Sequence, residues 1–139
     1  MDKYKVIRPI VLGIIERDGK ILVDNGYDSV KDQHFYRCLG GGIEFLEKSD
    51  EALKREFKEE LDVDIEVGKF LGISENIFNY EGKDAHELVL FYSAKLKDED
   101  YKDSYVKLDD DKQRITWEDK KDFIEKKKII YPEIVIDYL

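Results

Sequence analysis

Cysteine, proline, histidine and long apolar runs are all scarce in this chain. Of its 139 residues, one is cysteine (Cys38), two are proline and two are histidine. A lone cysteine cannot close an internal disulfide, which fits a reducing compartment; its plain reading is a small buried residue, not a catalytic thiol. No apolar stretch approaches the ~18 residues of a membrane-crossing helix, and the N-terminus carries no secretory pattern, so a soluble cytoplasmic protein is expected. Positive charge is short too: 24 Lys and Arg against 33 Asp and Glu leave a net charge of −9. That sign argues against a basic path for nucleic acid or a patch for anionic membranes, and neither partner is expected. Repeats, low-complexity tracts and linkers are also missing. The length suits one domain over residues 1–139, with 42% hydrophobic residues to fill a core.

What is present is concentrated between Gly40 and Val63, where a glycine run feeds a helix. At 100° per residue, Leu53, Phe57 and Leu61 fall within about 80° of one another as a core-facing stripe. Glu56, Glu59 and Glu60 border that stripe, on an arc separate from Lys54, Arg55 and Lys58. Like charges at i,i+4, such as Glu56 and Glu60, cost roughly 0.2–0.5 kcal/mol when exposed and more when partly buried. A divalent cation removes the penalty, and Mg²⁺ or Mn²⁺ takes oxygen ligands of this kind. The alternative is a solvated acidic face. Gly40, Gly41 and Gly42 would let main chain approach a metal or phosphate where a Cβ would intrude.

These residues resemble the Nudix hydrolase signature, G-x5-E-x7-R-E-U-x-E-E-x-G-U, with U bulky and aliphatic. Gly41, Glu47, Arg55, Glu56, Glu59 and Glu60 match it in type and spacing, and Phe57 and Val63 fill apolar positions. Asp62 stands where the family has a helix-ending glycine, and Leu46 where many members carry one; Asp tolerates the left-handed conformation better than most residues. The resemblance implies a mixed β-sheet in an α/β/α sandwich. It implies Glu56, Glu59 and Glu60 as metal ligands, joined by the Gly40 carbonyl, and Glu47 pairing with Arg55 to brace the loop. An i,i+4 pair of Arg55 with Glu51 on the same helix is a second reading, compatible with the first. Beyond the signature, Arg37 is a candidate phosphate contact, with Gly41 and Gly42. Glu87, beside His86, is a candidate further metal ligand or base. Glu44 is a candidate contact to metal-bound water. Glu75 and Asn76 form a polar step that suggests the cleft, and Phe78, Tyr80 or Trp117 are candidates to stack on a base.

The activity implied is metal-dependent cleavage of a nucleoside diphosphate linked to another moiety, with Mg²⁺ or Mn²⁺ as cofactor. An acidic chain that handles such anions must neutralise them locally, which again calls for a cation. Family members that act on ADP-ribose tend to have a proline about sixteen residues past the signature, and none stands there. Tyr80, 17 residues after Val63 (80 − 63), leans toward a nucleoside triphosphate or dinucleoside polyphosphate. ADP-ribose or nucleotide-sugar cleavage, and a weakly catalytic nucleotide-binding module, remain the alternatives. RNA 5′-end cleavage is disfavoured by the charge. Family members are often dimers, so a homodimer is a further expectation.

The rest of the chain reads as strands. Residues 5–16 are apolar on both faces, with Pro9 marking an edge or bulge. Arg17–Lys20 reads as a hairpin turn and Lys20–Asp24 as the returning strand. Asn25–Gln33 reads as a polar loop, His34–Leu39 as a strand, and Asp64–Val67 with Phe70–Phe78 as strands broken at Gly68. A turn follows over Tyr80–Asp84, then a strand over Glu87–Leu96. Lys97–Lys112 reads as an exposed insertion and Gln113–Trp117 as a last strand. Thr116 with Asp119 suggests a capping box opening a helix to about Lys127, and Pro132 starts a terminal helical turn.

Overall fold

The computed structural model describes residues 5–139, Asp111 by its backbone alone. Strand β1 (Ile7–Arg17) alternates its side chains between two cores. Val11 and Ile15 enter one, and Ile10, Leu12 and Ile14 the other. Burial on both faces explains the near-continuous apolar run. Pro9 lies just past the last β1–β3 pair, Ile10 with Gly42, where a missing N–H does least harm. Asp18 and Gly19 both take positive φ (54° and 78°) in the tight turn to β2.

Strand β2 (Lys20–Asp28) runs four residues beyond the expected Asp24. The segment read as a polar loop from Asn25 pairs with β3 (Gln33–Gly42) from Asn25–Tyr36 to Asp28–Gln33. The polarity misled because Asp28 is 2% exposed and satisfied. Its carboxylate accepts the backbone N–H groups of Val30, Lys31 and Glu81 and so ties this turn to a second one. The glycines of β3 are strand residues too, since Gly40, Gly41 and Gly42 pair with Leu12, Val11 and Ile10.

Helix α1 (Ser49–Leu61) buries Ala52, Leu53, Phe57 and Leu61 against one face of the sheet, as the stripe predicts. Strand β4 (Ile65–Tyr80) keeps pairing across Gly68, with register shifts between Val67 and Phe70 and between Phe70 and Gly72. Strand β5 (Lys83–Leu96) returns beside it. Lys97–Lys112 is not a loose insertion. It holds a 3₁₀ turn, β6 (Ser104–Lys107) and the start of β7 (Asp110–Asp119), with Tyr105 only 4% exposed. Helix α2 (Lys120–Ile124) is capped by Asp119 alone, because Thr116 is a strand residue paired with Val23, and it stops short of Lys127. Pro132 precedes a 3₁₀ segment, Glu133–Tyr138.

The seven strands form one mixed sheet in the order β4-β5-β1-β3-β2-β7-β6, with β1 and β5 parallel. Helix α1 covers one face, while Phe123, Ile130 and Val135 from the C-terminal segment fill the core on the other. This is the expected α/β/α layering. Strand β3 serves both halves of the sheet: Leu39–Gly42 pair with β1, and Gln33–Cys38 with β2. Among the described residues no helix is long and apolar enough to cross a membrane.

Candidate active site

Arg55 organises the loop before α1. Its guanidinium grips the Glu47 carboxylate through Nε (2.7 Å) and Nη2 (2.9 Å), and Nη2 also donates to the Gly42 carbonyl (2.9 Å). Nη1 reaches Glu56 at 3.0 Å and Glu59 at 3.2 Å. Glu51 pairs instead with Lys54, so the i,i+4 reading for Arg55 is not what the structure shows. The planar fork suits this bidentate role. Its partners hold the Arg55 pKa above its ordinary value, the Glu47 bond foremost, and the Glu47 carboxyl is held below its own, chiefly by Arg55. Glu44 is exposed, 3.6 Å from Arg55.

The brace sets Glu56 against β3. A Cβ at Gly41 would lie 2.4 Å from the Glu56 carboxyl carbon, so only glycine allows this approach. A Cβ at Gly40, whose φ is +155°, would lie 1.9 Å from the Val11 carbonyl oxygen.

A cavity of about 250 Å³ opens where β3 passes from one half-sheet to the other. Leu39, Gly40 and Gly41 line it along β3. Asp24 and Glu60 give it an acidic side, and Arg8, Arg37 and Lys107 are its cations. Burial, with help from Glu56 and Asp24, pushes the Glu60 carboxyl up to about 7, and the nearby Lys107 only partly offsets this. Glu87 is 4% exposed; it accepts a 2.8 Å bond from Arg37 and lies 4.0 Å from Arg8. Cys38 is buried at the same wall, and desolvation pushes its thiol up to about 12, which fits an inert core residue.

A model of the NUDIX domain matches residues 6–137. The chain belongs to the Nudix family. A 62-residue stretch is 37% identical to the CTP pyrophosphohydrolase of Escherichia coli K12, covering 45% of this chain and 46% of that protein. The match thus spans about half the length of the curated relative. Among solved structures, a Nudix hydrolase from Nitrosomonas europaea superposes with a TM-score of 0.65 at 18% identity, covering 95% of this chain and 85% of that one. A MutT Nudix hydrolase from Burkholderia pseudomallei gives 0.63 at 21%, over 84% and 86%. The E. coli ORF135 protein gives 0.57 at 23%, over 94% and 84%. At these identities the structures show the same fold.

Both departures from the Nudix signature are absorbed by the backbone. Asp62 ends α1 in the left-handed conformation (φ 53°, ψ 41°), its N–H bonded to the Lys58 carbonyl, as the usual glycine would. Leu46 also takes a positive φ, 66°, with its side chain 91% exposed.

The residues expected at the site divide into groups. Glu47, Arg55, Glu56 and the glycines are brought together, and Glu60, Arg37 and Glu87 line the cavity. Glu59 is largely exposed and reaches inward only through Arg55. Glu87 lies with the arginines, its carboxylate taken up by guanidinium groups, and not with the helix glutamates. Tyr80 is not a cavity residue: it packs edge-on against Phe35, and its hydroxyl donates to the Tyr27 carbonyl. Trp117 is held away by a bond from its indole N–H to the Lys102 carbonyl. Glu75 is exposed on β4, and Asn76 and Phe78 are absent from the cavity lining. Sequence reasoning missed Arg8, Asp24 and Lys107, which only strand register brings to the cavity that Glu60 lines.

Whether a divalent cation fits can be judged from the donors. Around Gly40 and Gly41 stand carboxylate and carbonyl oxygens, the hard ligands of Mg²⁺ and Mn²⁺. The Glu60 carboxyl is raised first by burial and then by the neighbouring Glu56 and Asp24 charges, and a cation would relieve both. Among the described residues no three His, Cys, Asp or Glu side chains are gathered around one point; Arg55 Nη1 lies between Glu56 and Glu59, and Lys107 stands 3.9 Å from Glu60. By donor chemistry the site fits the ion.

Proposed function

We propose that the chain, working as one unit over residues 1–139, is a metal-dependent pyrophosphohydrolase acting on a nucleoside triphosphate or dinucleoside polyphosphate. The observation that carries this is the Arg55 brace, which fixes Glu56 against Gly41, a residue that lines a cavity with an acidic and a basic side. Glu56, Glu59 and Glu60, with the Gly40 carbonyl, would hold Mg²⁺ or Mn²⁺. The bound ion would neutralise phosphate oxygens and lower the pKa of the attacking water.

The chain's own residues then divide the remaining work. Arg55 and Glu47 keep the loop rigid, so the carboxylates stay where the brace sets them. Gly41 and Gly42 allow the phosphate chain to approach the backbone. Arg37, with Arg8 beside it, presents a guanidinium to the substrate, and Glu87 keeps Arg37 oriented. Glu60 lines the cavity as one of the carboxylates that would hold the ion. The curated relative named for CTP puts CTP on the list of substrates to test.

The deciding assay is phosphate and pyrophosphate release from ordinary and oxidised nucleoside triphosphates, dinucleoside polyphosphates, ADP-ribose and nucleotide sugars, with Mg²⁺ or Mn²⁺. Glu60→Gln is run in parallel. Turnover of a triphosphate or dinucleoside polyphosphate that needs the metal and collapses at least ~10²-fold in the variant supports the proposal. Preference for ADP-ribose, or a folded protein that turns over nothing, overturns it.

A further inference from the structure

Lys107 reaches the cavity from outside the Nudix signature. It ends β6, and the β6–β7 ladder slips between Val106 and Lys107. Slips of this kind re-aim a side chain, and that of Lys107 is only 21% exposed. Its Nζ lies 2.8 Å from Asp24 and 3.9 Å from Glu60. Asp24 is held in turn by the Gln113 amide of β7, which also donates to the Asn25 carbonyl. The Leu108 N–H bonds the Glu60 carbonyl at 2.9 Å and clamps the hairpin turn to α1. Elements β2, β6, β7 and α1 together fix one ammonium at the cavity wall.

An ammonium has three N–H donors and no acceptor. Among the described residues Asp24 takes one of them, at 2.8 Å, while Glu60 at 3.9 Å lies beyond hydrogen-bond reach. The remaining donor capacity borders the same cavity that Arg8 and Arg37 line. An ornamental ion pair on the surface would need none of this support.

We propose that Lys107 binds a phosphate group of the substrate, with Asp24 holding its ammonium in position beside Glu60. The inference rests on the nucleotide reading of the cavity and adds a phosphate ligand that the signature does not contain. The acidic side of the cavity repels an anionic chain, and Lys107 is the cation set among those carboxylates. It therefore acts with opposite sign on two ligands, attracting phosphate and opposing a metal cation.

Calorimetric titration of the wild type, Lys107→Met and Lys107→Arg tests this, with Mn²⁺ alone and with inorganic pyrophosphate at saturating Mg²⁺. Lys107→Met should bind pyrophosphate about tenfold more weakly, the loss of one charge-assisted contact, while binding Mn²⁺ at least as tightly. Lys107→Arg should keep pyrophosphate affinity within about threefold, since it keeps a charged donor. If Lys107→Met does not fold, Lys107→Gln carries the same comparison. Equal weakening of both ligands would reduce Lys107 to a structural prop and overturn the proposal, as would unchanged pyrophosphate affinity or no pyrophosphate binding by the wild type. The two readings fail separately. Lys107-dependent pyrophosphate binding in a protein that turns over no nucleotide sinks the activity alone; nucleotide turnover with Lys107-independent pyrophosphate binding sinks this inference alone.

Discussion

Gly41→Ala should separate activity from stability. The new Cβ would lie 2.4 Å from the Glu56 carboxyl carbon and 2.6 Å from each of its oxygens, so that carboxylate must turn away. Turning away forfeits the 3.0 Å bond from Arg55, worth about 1.5–2 kcal/mol at a half-buried charged pair. Replacing a glycine whose φ is ordinary returns about 0.4–1 kcal/mol by restricting the unfolded chain. The net loss is about 1 kcal/mol, or roughly 3 °C in Tm for a chain of this size. Turnover should suffer more, because displacing a catalytic carboxylate by about 1 Å costs on the order of 10²-fold. Gly40→Ala is the contrast: its Cβ would meet the Val11 carbonyl oxygen at 1.9 Å, where only backbone can yield, and the protein should not accumulate folded. Thermal melts by circular dichroism and initial rates on the preferred nucleotide read both effects. Full turnover by Gly41→Ala would show that the seat of Glu56 against β3 does not matter. Unfolding as severe as in Gly40→Ala would refute the steric argument itself.

Two further predictions concern stability. Arg55→Lys keeps the charge but loses the fork that holds Glu47 and the Gly42 carbonyl together, and should lower the unfolding free energy by about 2 kcal/mol, read as a lower urea midpoint at constant m-value; a loss below about 0.5 kcal/mol would mean that something else braces the loop. For Asp28, burial alone would raise the carboxyl pKa, but backbone N–H groups of Lys31, Glu81 and Val30 and the Lys31 charge outweigh it and depress the folded value. Its stabilisation is therefore complete above the unfolded pKa of about 3.9 and is lost as pH falls through the lower folded pKa. Asp28→Asn should flatten the stability profile below about pH 4, and an unchanged acid limb would refute the assignment.

The helix was legible because its information is local. Leu53, Phe57 and Leu61 repeat at helical spacing, and the Gly41-to-Val63 pattern lies within one continuous stretch. The Glu47 pairing of Arg55 came from family resemblance; periodicity alone left Glu51 equally open, and Lys54 takes Glu51 in the folded chain. Asn25–Asp28 looked like loop because its polar residues find partners across the sheet, as Asn25 does with Thr116 and the Arg114 carbonyl, 91 and 89 positions away. Tyr80 matched a substrate marker by spacing, yet Phe35 and the Tyr27 carbonyl claim it. Lys107 and Asp24 were out of reach for a related reason. A run such as Asp-Glu-Asp-Tyr-Lys-Asp does not announce a hairpin, and the slip at Lys107 depends on the register of two strands.

The bond from Leu108 N–H to the Glu60 carbonyl also bears on how the helix ends. The last carbonyls of a helix have no partner within it and are where fraying begins. Here one of them belongs to a signature glutamate and is satisfied by a hairpin about fifty residues downstream. Order at the final turn of α1 is therefore borrowed from a segment the signature does not describe. Shortening that hairpin would leave every signature residue in the sequence while raising amide exchange in the last turn of α1. A Nudix signature intact in letters can thus be loose in practice, and the hairpin sets how loose.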